Sequence, residues 1–236
     1  MFNGQKTRTA QIYKETYDRI LNKIVHGKLI HVDETKVSIK GETAYVWVFT
    51  SLEEVVYIYK ETREGDFLQE LLREFKGVLV SDFYTAYDSI NCPQQKCLVH
   101  LIRDLNDDLF KYPFDQELKS LIREFTTLLK PMIETVDRSG LKTKLLRKHK
   151  VFVESFYRIL SNRSYKSEVA LKYKKRFEKY HDKLFTFLDY DGIPWNNNNA
   201  EHTIKAFAML RRVIGGTSTE NGIREYLILF LSLIHI

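Results

Sequence analysis

An aspartate stands inside a run of strand-forming residues at Leu29-Ile30-His31-Val32-Asp33, followed by Glu34 and Thr35. A carboxylate among β-branched side chains is costly to bury unless something pairs with it. Any sheet that recruits this segment must therefore bring a partner to Asp33. Val78-Leu79-Val80-Ser81-Asp82 repeats the arrangement, a short apolar run closed by an acid. Asn197-Asn198-Asn199-Ala200-Glu201 puts a third acid in what reads as the first turn of a helix. Three acids, distant in sequence and each on a rigid element, point to a divalent-cation site.

The segments around these acids define the expected fold. Apolar residues at Ile12, Tyr13, Tyr17, Ile20, Leu21, Ile24 and Val25 have helical spacing, and His26-Gly27 supplies a stop. Lys28 to Ile39 reads as a long strand, Lys40-Gly41-Glu42 as a turn, and Thr43–Thr50 and Val55–Tyr59 as two further strands of an antiparallel meander. Glu64 to Phe75 is patterned as an amphipathic helix and Gly77 ends it. The fully apolar Val78-Leu79-Val80 is typical of a buried parallel strand, and a right-handed crossover would lay it beside the first strand. A short helix is expected over Tyr84–Ile90 and a fifth strand over Cys97-Leu98-Val99.

The texture changes after residue 110. Leu118, Leu121, Ile122, Phe125, Leu128 and Leu129 have helical spacing, and strand signals are almost absent up to Phe187. Between Lys111 and Lys183 there are 19 Lys/Arg against 9 Asp/Glu, a balance of +10 in a chain whose net charge is +6, so the remainder is near −4. Basicity concentrated in one helical block fits a polyanionic partner, and it also fits an ordinary solvated face. Its densest run is Lys172-Tyr173-Lys174-Lys175-Arg176; Lys205, Arg211 and Arg212 follow Glu201 on the last acidic helix. A final helix is expected from near Thr219. Two cysteines, Cys92 and Cys97, cannot build a disulfide framework, which argues for a reducing cytoplasm. The longest apolar stretch, Tyr226 to Ile236, is far shorter than the ~20 residues a membrane span needs.

Each candidate site residue has a structural alternative. Asp82 can serve as the N-cap of the helix that follows it. Glu201 can close an Asn-x-x-Glu relative of the capping box with Asn198. Asp33 can pair with a lysine or cap a bulge. Cys97-x-x-His100 invites a zinc reading, but structural zinc takes four ligands and no second pair stands at suitable spacing, so a buried strand residue and a helix-starting histidine also account for it.

The order of strands, crossover, helical block and acidic helix is that of an RNase H-like α/β domain, a mixed sheet flanked by helices with an all-helical insertion before the last acidic helix. His31-Val32-Asp33-Glu34-Thr35, Ser81-Asp82-Phe83-Tyr84-Thr85-Ala86-Tyr87-Asp88, Cys97-Leu98-Val99-His100-Leu101-Ile102-Arg103 and the Asn196–Lys205 segment together resemble the catalytic domain of bacterial DDE transposases of the insertion sequence sixty-six family. The resemblance covers roughly residues 10–234. It implies Asp33, Asp82 and Glu201 as an acidic triad for Mg²⁺ or Mn²⁺, two ions in all, with Asn197 and Asn198 orienting the acid or touching DNA and Cys97 and His100 as a family signature. Many relatives carry an acid just before the paired asparagines, where this chain has Asn196.

The expected division is a leading helix over 1–27, the first part of the catalytic core over 28–110, the basic insertion over 111–190, and the closing helices over 191–236. The expected activity is metal-dependent DNA strand cleavage and transfer, with element ends and target DNA as partners and a homo-oligomer as the active form. Family members carry further DNA-binding segments, so the chain is expected to be a fragment. Two other classes fit the same residues: another RNase H-like nuclease such as a junction resolvase, and an inactive DNA-binding or dimerisation remnant of a decayed element.

Overall fold

The computed structural model describes the backbone of residues 2–214 and 219–234, and the side chains of residues 5–209 and 219–231. In chain order the elements are α1 (Phe2–Val25), β1 (Leu29–Ile39), β2 (Glu42–Thr50), β3 (Val55–Lys60), α2 (Asp66–Leu71), β4 (Val78–Ser81), β5 (Gln94–Lys96), α3 (Leu98–Lys111), α4 (Gln116–Ser139), α5 (Thr143–Leu146), α6 (Lys150–Asn162), α7 (Glu168–Lys179), α8 (His181–Leu184), α9 (Asn198–Ile214) and α10 (Glu220–Ile234). They form two compact units, Met1–Pro93 with Asn197–Ile236, and Gln94–Asn196. This is a mixed α/β fold flanked by helices, as the RNase H-like expectation requires.

In the first unit β1, β2 and β3 form the antiparallel meander. The β1–β2 turn places Lys40 and Gly41 at positive φ, 51° and 88°. A two-residue turn of this kind matches the right-handed twist of the strands it joins. On its other edge β1 pairs in parallel with β4, Leu29 beside Val78, Ile30 beside Leu79 and His31 beside Val80. Gly77 makes that pairing possible. A Cβ there would lie 2.5 Å from the carbonyl carbon and oxygen of Lys28, and the Lys28 oxygen accepts the Val78 N–H at 2.9 Å.

Strand side chains alternate between faces. Ile30 and Val32 of β1, Trp47 and Phe49 of β2, and Leu79 of β4 share one buried cluster with Leu68, Leu72, Phe75 and Tyr87. Val37 and Ile39 of β1 and Val46 and Val48 of β2 share another with Ala200 and Phe207 of α9 and Ile223, Leu227 and Phe230 of α10. Ala200 and Phe207 are seven apart, as are Ile223 and Phe230, which is the spacing that keeps one helical stripe on a sheet.

Two local expectations are corrected. The helix expected over Glu64–Phe75 holds only Asp66–Leu71, although Phe67, Leu68, Leu71, Leu72 and Phe75 all pack in the first cluster. The short helix after Asp82 is a 3₁₀ turn, Thr85–Ser89.

In the second unit the fifth strand is Gln94–Lys96, and Leu98 already begins α3. The apolar run Cys97-Leu98-Val99 is therefore a helix start, not a strand. The Gln95 amide donates to the Leu184 carbonyl (2.8 Å) and accepts from the Phe187 N–H (2.9 Å), which lets a polar residue be fully buried. Phe125 of α4, Phe156 of α6 and Phe177 of α7 form a closed aromatic triangle with ring centroids 5.0–6.3 Å apart. Asp115 caps α4 and Ser167 caps α7, and the Ser167 hydroxyl also bonds Asp115.

Because a methyl group at position 77 overlaps backbone rather than a flexible side chain, Gly77→Ala forces β1 and β4 apart. A loss of about 1–3 kcal/mol is expected, read as a lower urea midpoint at unchanged m-value. A midpoint equal to that of the natural chain would show that the two strands tolerate a wider separation.

Candidate active site

Asp33 points to the face of the sheet covered by α9. The alternation that puts Ile30 and Val32 on the opposite face requires it, and Asp33 pairs across the meander with Val48, which contacts the α9 side. The last parallel pair is His31 with Val80, and Asp33 and Asp82 each stand two residues beyond it, Asp82 directly after the end of β4. Neighbouring strands lie about 4.8 Å apart. Glu201 stands in the first turn of α9, next to Ala200, which is buried against the same face. All three acids belong to the first unit and are half-buried.

The electrostatics agree with this placement. Burial pushes the Asp33 carboxyl up to about 7. The Glu34 charge adds to the rise, the Glu34 N–H bonded to Asp33 Oδ1 (2.9 Å) opposes it, and the charges of Asp82 and Glu201 raise it further. Each of the other two acids is thus close enough to disfavour ionisation of Asp33.

The capping alternatives do not describe these acids well. The Glu201 N–H donates to the Asn197 carbonyl at 3.2 Å, so Asn197 is the N-cap residue and Ala200, not Glu201, occupies the third helical position where a capping-box glutamate stands. Asp82 Oδ1 accepts the Tyr84 N–H at 2.8 Å. That bond is a turn two residues ahead of the 3₁₀ segment, whose own N-cap, Tyr84, contributes no side-chain cap.

The paired asparagines divide their roles. Asn198 is exposed, whereas Asn197 is fully buried. Asn197 Nδ2 donates to the Val32 carbonyl at 2.9 Å, and its Oδ1 lies 3.0 Å from Nδ1 of the buried His31. An amide oxygen only accepts, so His31 Nδ1 carries the proton. Burial holds the imidazole pKa down, to about 4, and the Asn197 bond opposes that fall.

On the opposite face Glu34 forms a second assembly. It accepts from Tyr87 and from Arg63, whose Nε lies 2.7 Å from Oε1. The Arg63 guanidinium stacks over the Tyr84 ring at 4.0 Å, and the Tyr84 hydroxyl donates to the Arg63 carbonyl. Sequence reasoning missed His31, Glu34, Arg63 and Tyr87. His31 had a usable signal, a polar residue two before Asp33 and so on the same face of the strand. Arg63 had none, because it lies in a connection without periodic pattern.

In the second unit the basic run of α7 is largely engaged. Lys172 Nζ lies 2.7 Å from Asp108 Oδ2, and Arg176 Nη1 lies 2.7 Å from Asp104 Oδ2, both acids on α3. Lys174 donates to the Ser161 and Arg163 carbonyls. Lys175 is exposed. Cys97 is buried immediately before α3, and His100 lies one turn into it. On α9, Lys205 is exposed one turn beyond Glu201, and the side chains of Arg211 and Arg212 lie outside the described residues. Among the described residues no helix is long and apolar enough to cross a membrane.

The raised Asp33 carboxyl gives a pH signature. In an unfolded chain this group titrates near ~3.9, so between about pH 4 and pH 7 the folded, metal-free chain holds a proton that the unfolded chain releases. The stability linked to Asp33 is therefore full below pH 4 and is lost as pH rises through about 7. Melting curves from pH 4.5 to 7.5 are expected to fall more steeply for the natural chain than for Asp33→Asn. Parallel curves would mean that Asp33 ionises in solvent.

The sequence model described as the transposase IS66 family matches residues 3–225, a span that contains both units' described elements up to the middle of α10. Comparison with curated proteins returns no match. With the match extending over nearly all of the chain, and with the three acids on the elements described above, the chain belongs to the IS66 family of transposases.

Proposed function

We propose that the domain is the catalytic core of a DDE transposase in which Asp33, Asp82 and Glu201 form the acidic triad of DNA strand cleavage and strand transfer. The observation that carries this reading is electrostatic: the charges of Asp82 and Glu201 both raise the Asp33 carboxyl, so the three carboxylates lie within reach of one another's fields. Crowded carboxylates in a half-buried place are unfavourable unless a cation joins them. An all-oxygen donor set suits Mg²⁺ or Mn²⁺ rather than a softer metal. When bound, such ions lower the pKa of attacking water and neutralise charge on a phosphodiester.

The chain's own contribution is positional. Asp33 lies in β1 and Asp82 directly follows β4, so the β1–β4 pairing that ends at His31 and Val80 anchors the segments that carry both acids. Glu201 approaches from α9, fixed to the sheet by Ala200 and Phe207. In the proposed reaction water attacks a phosphodiester at the element end and frees a 3′-OH, and that hydroxyl then attacks a phosphodiester of the target. Holding the reacting groups in line is worth more than any single covalent role here. DNA ends and target DNA are the proposed partners, two copies of the chain the proposed minimum for pairing two ends, and Lys205 and Lys175 the exposed basic residues proposed to meet phosphate.

Asp33→Asn, Asp82→Asn and Glu201→Gln are each expected to lower Mg²⁺- or Mn²⁺-dependent nicking of a DNA end by about 100-fold or more, with far-ultraviolet circular dichroism unchanged. Nicking at close to the natural rate by any of the three removes that residue from the triad. Gln would also serve a capping box as well as Glu does, so Glu201→Gln separates a metal role from a capping one.

The basic run of α7 gives an independent test. Lys175→Gln is expected to flatten the log–log salt dependence of DNA binding by roughly 0.9. Arg176→Gln is instead expected to cost stability, about 0.5–1 kcal/mol for a partly exposed ion pair, because it strands Asp104. A large loss of affinity from Arg176→Gln with no change in melting would reverse this assignment.

A further inference from the structure

Apolar contacts dock one stripe of α9 on the sheet, but they do not fix the helix's position along that stripe. Ala200 and Phe207 lie against Val37, Val46, Val48 and Tyr57, and such contacts are non-directional. A slide of the helix along its own axis would keep this stripe on the sheet and most of the apolar area covered, yet carry Glu201 away from Asp33. Something directional must fix the helix.

The Asn197 amide has that property. It is fully buried, and its two ends are chemically different: Nδ2 donates to the Val32 carbonyl and Oδ1 accepts from His31 Nδ1. Reversing the amide would set donor against donor and acceptor against acceptor. Both contacts land on β1 within two residues of Asp33, and the residue that makes them begins the helix turn that carries Glu201. The clamp therefore joins β1 beside Asp33 to the start of the helix that carries Glu201. With no water competing at a buried site, its bonds are at their most directional.

We propose that Asn197 and His31 are positioning residues, a buried amide–imidazole clamp that fixes the helix bearing Glu201 against the strand bearing Asp33 and so sets the geometry in which the acids take a divalent cation. This rests on the acid-site reading above. Neither residue touches substrate; each acts through the placement of Glu201 and Asp33. Partners that orient metal ligands typically account for 10–100-fold in metal affinity.

The test is titration of the whole chain with Mn²⁺, followed by electron paramagnetic resonance, with melting curves on the same samples. Asn197→Ala is expected to bind Mn²⁺ 10–100-fold more weakly than the natural chain while remaining folded. His31→Leu, which keeps an apolar group in the same buried place, is expected to give the same loss and serves if Asn197→Ala does not fold. His31→Asn places an amide donor near the former Nδ1 and is expected to bind within about threefold of the natural chain, although its melting temperature falls with the lost ring. A purely structural role would make affinity follow melting temperature across the three variants, and that result overturns the proposal. Mn²⁺ affinity within threefold of natural in Asn197→Ala overturns it as well, leaving the acid site standing if Glu201→Gln still loses affinity. If Glu201→Gln binds as the natural chain does, the acid-site reading falls and the clamp falls with it.

Discussion

Side chains of β1 alternate between the two faces of the sheet, so Asp33 and Glu34, adjacent in the chain, meet opposite surroundings. Asp33 shares its face with Val37, Val46 and Val48 and with the helix that carries Glu201. Glu34 turns to the other face and is consumed by Arg63 and Tyr87. One carboxylate is neutralised by a cation and a phenol already in the protein, while the other lies among like charges. Arg63 and Tyr87 complete the Glu34 assembly, while the residue after β4 and the first turn of α9 bring the charges of Asp82 and Glu201 to bear on Asp33.

Holding acids together in this way works against folding. Burial and neighbouring charges raise Asp33 to about 7, so the metal-free site is either strained or protonated at neutral pH. The apolar clusters on both faces supply the compensating stability: Trp47, Phe49, Leu68 and Phe75 on one side, Tyr57, Phe207 and Phe230 on the other. The β1–β4 ladder, which ends at His31 and Val80, then ties the segments that carry Asp33 and Asp82 to that general stability. In the second unit the same economy is visible in the 172–176 run of α7, where three of the four basic residues bond within the unit. A dense run of positive charge in a sequence is thus partly spent on helix-to-helix pairing before any DNA is met.

The meander and the parallel fourth strand were legible because alternation and β-branched residues write them directly into β1, β2 and β3. The long α4 was legible from its apolar spacing. The overlong α2 was not, since the pattern from Phe67 to Phe75 reports burial and all of those residues are packed, whether or not the backbone is helical. The fifth strand was misplaced because its true residues, Gln94-Gln95-Lys96, are polar, and buried polar strands carry no hydrophobic period. At the candidate site the three acids were readable as acids on rigid elements. Their capping alternatives needed coordinates to weigh, because the register of α9 turns on a single backbone bond from Glu201 to Asn197. The His31–Asn197 contact joins residues 166 apart, and no local signal in one sequence announces a pair at that distance.

In the proposed function Asp33, Asp82 and Glu201 share a cation. Anomalous diffraction from crystals soaked in Mn²⁺ at neutral to mildly alkaline pH, where Asp33 is ionised, tests it most directly. An anomalous peak is expected between Asp33 and Asp82, at ligand distance from both, and Asp33→Asn is expected to remove it. Mn²⁺ bound elsewhere, with the Asp33 carboxylate left without metal at a concentration that supports DNA cleavage, would contradict it.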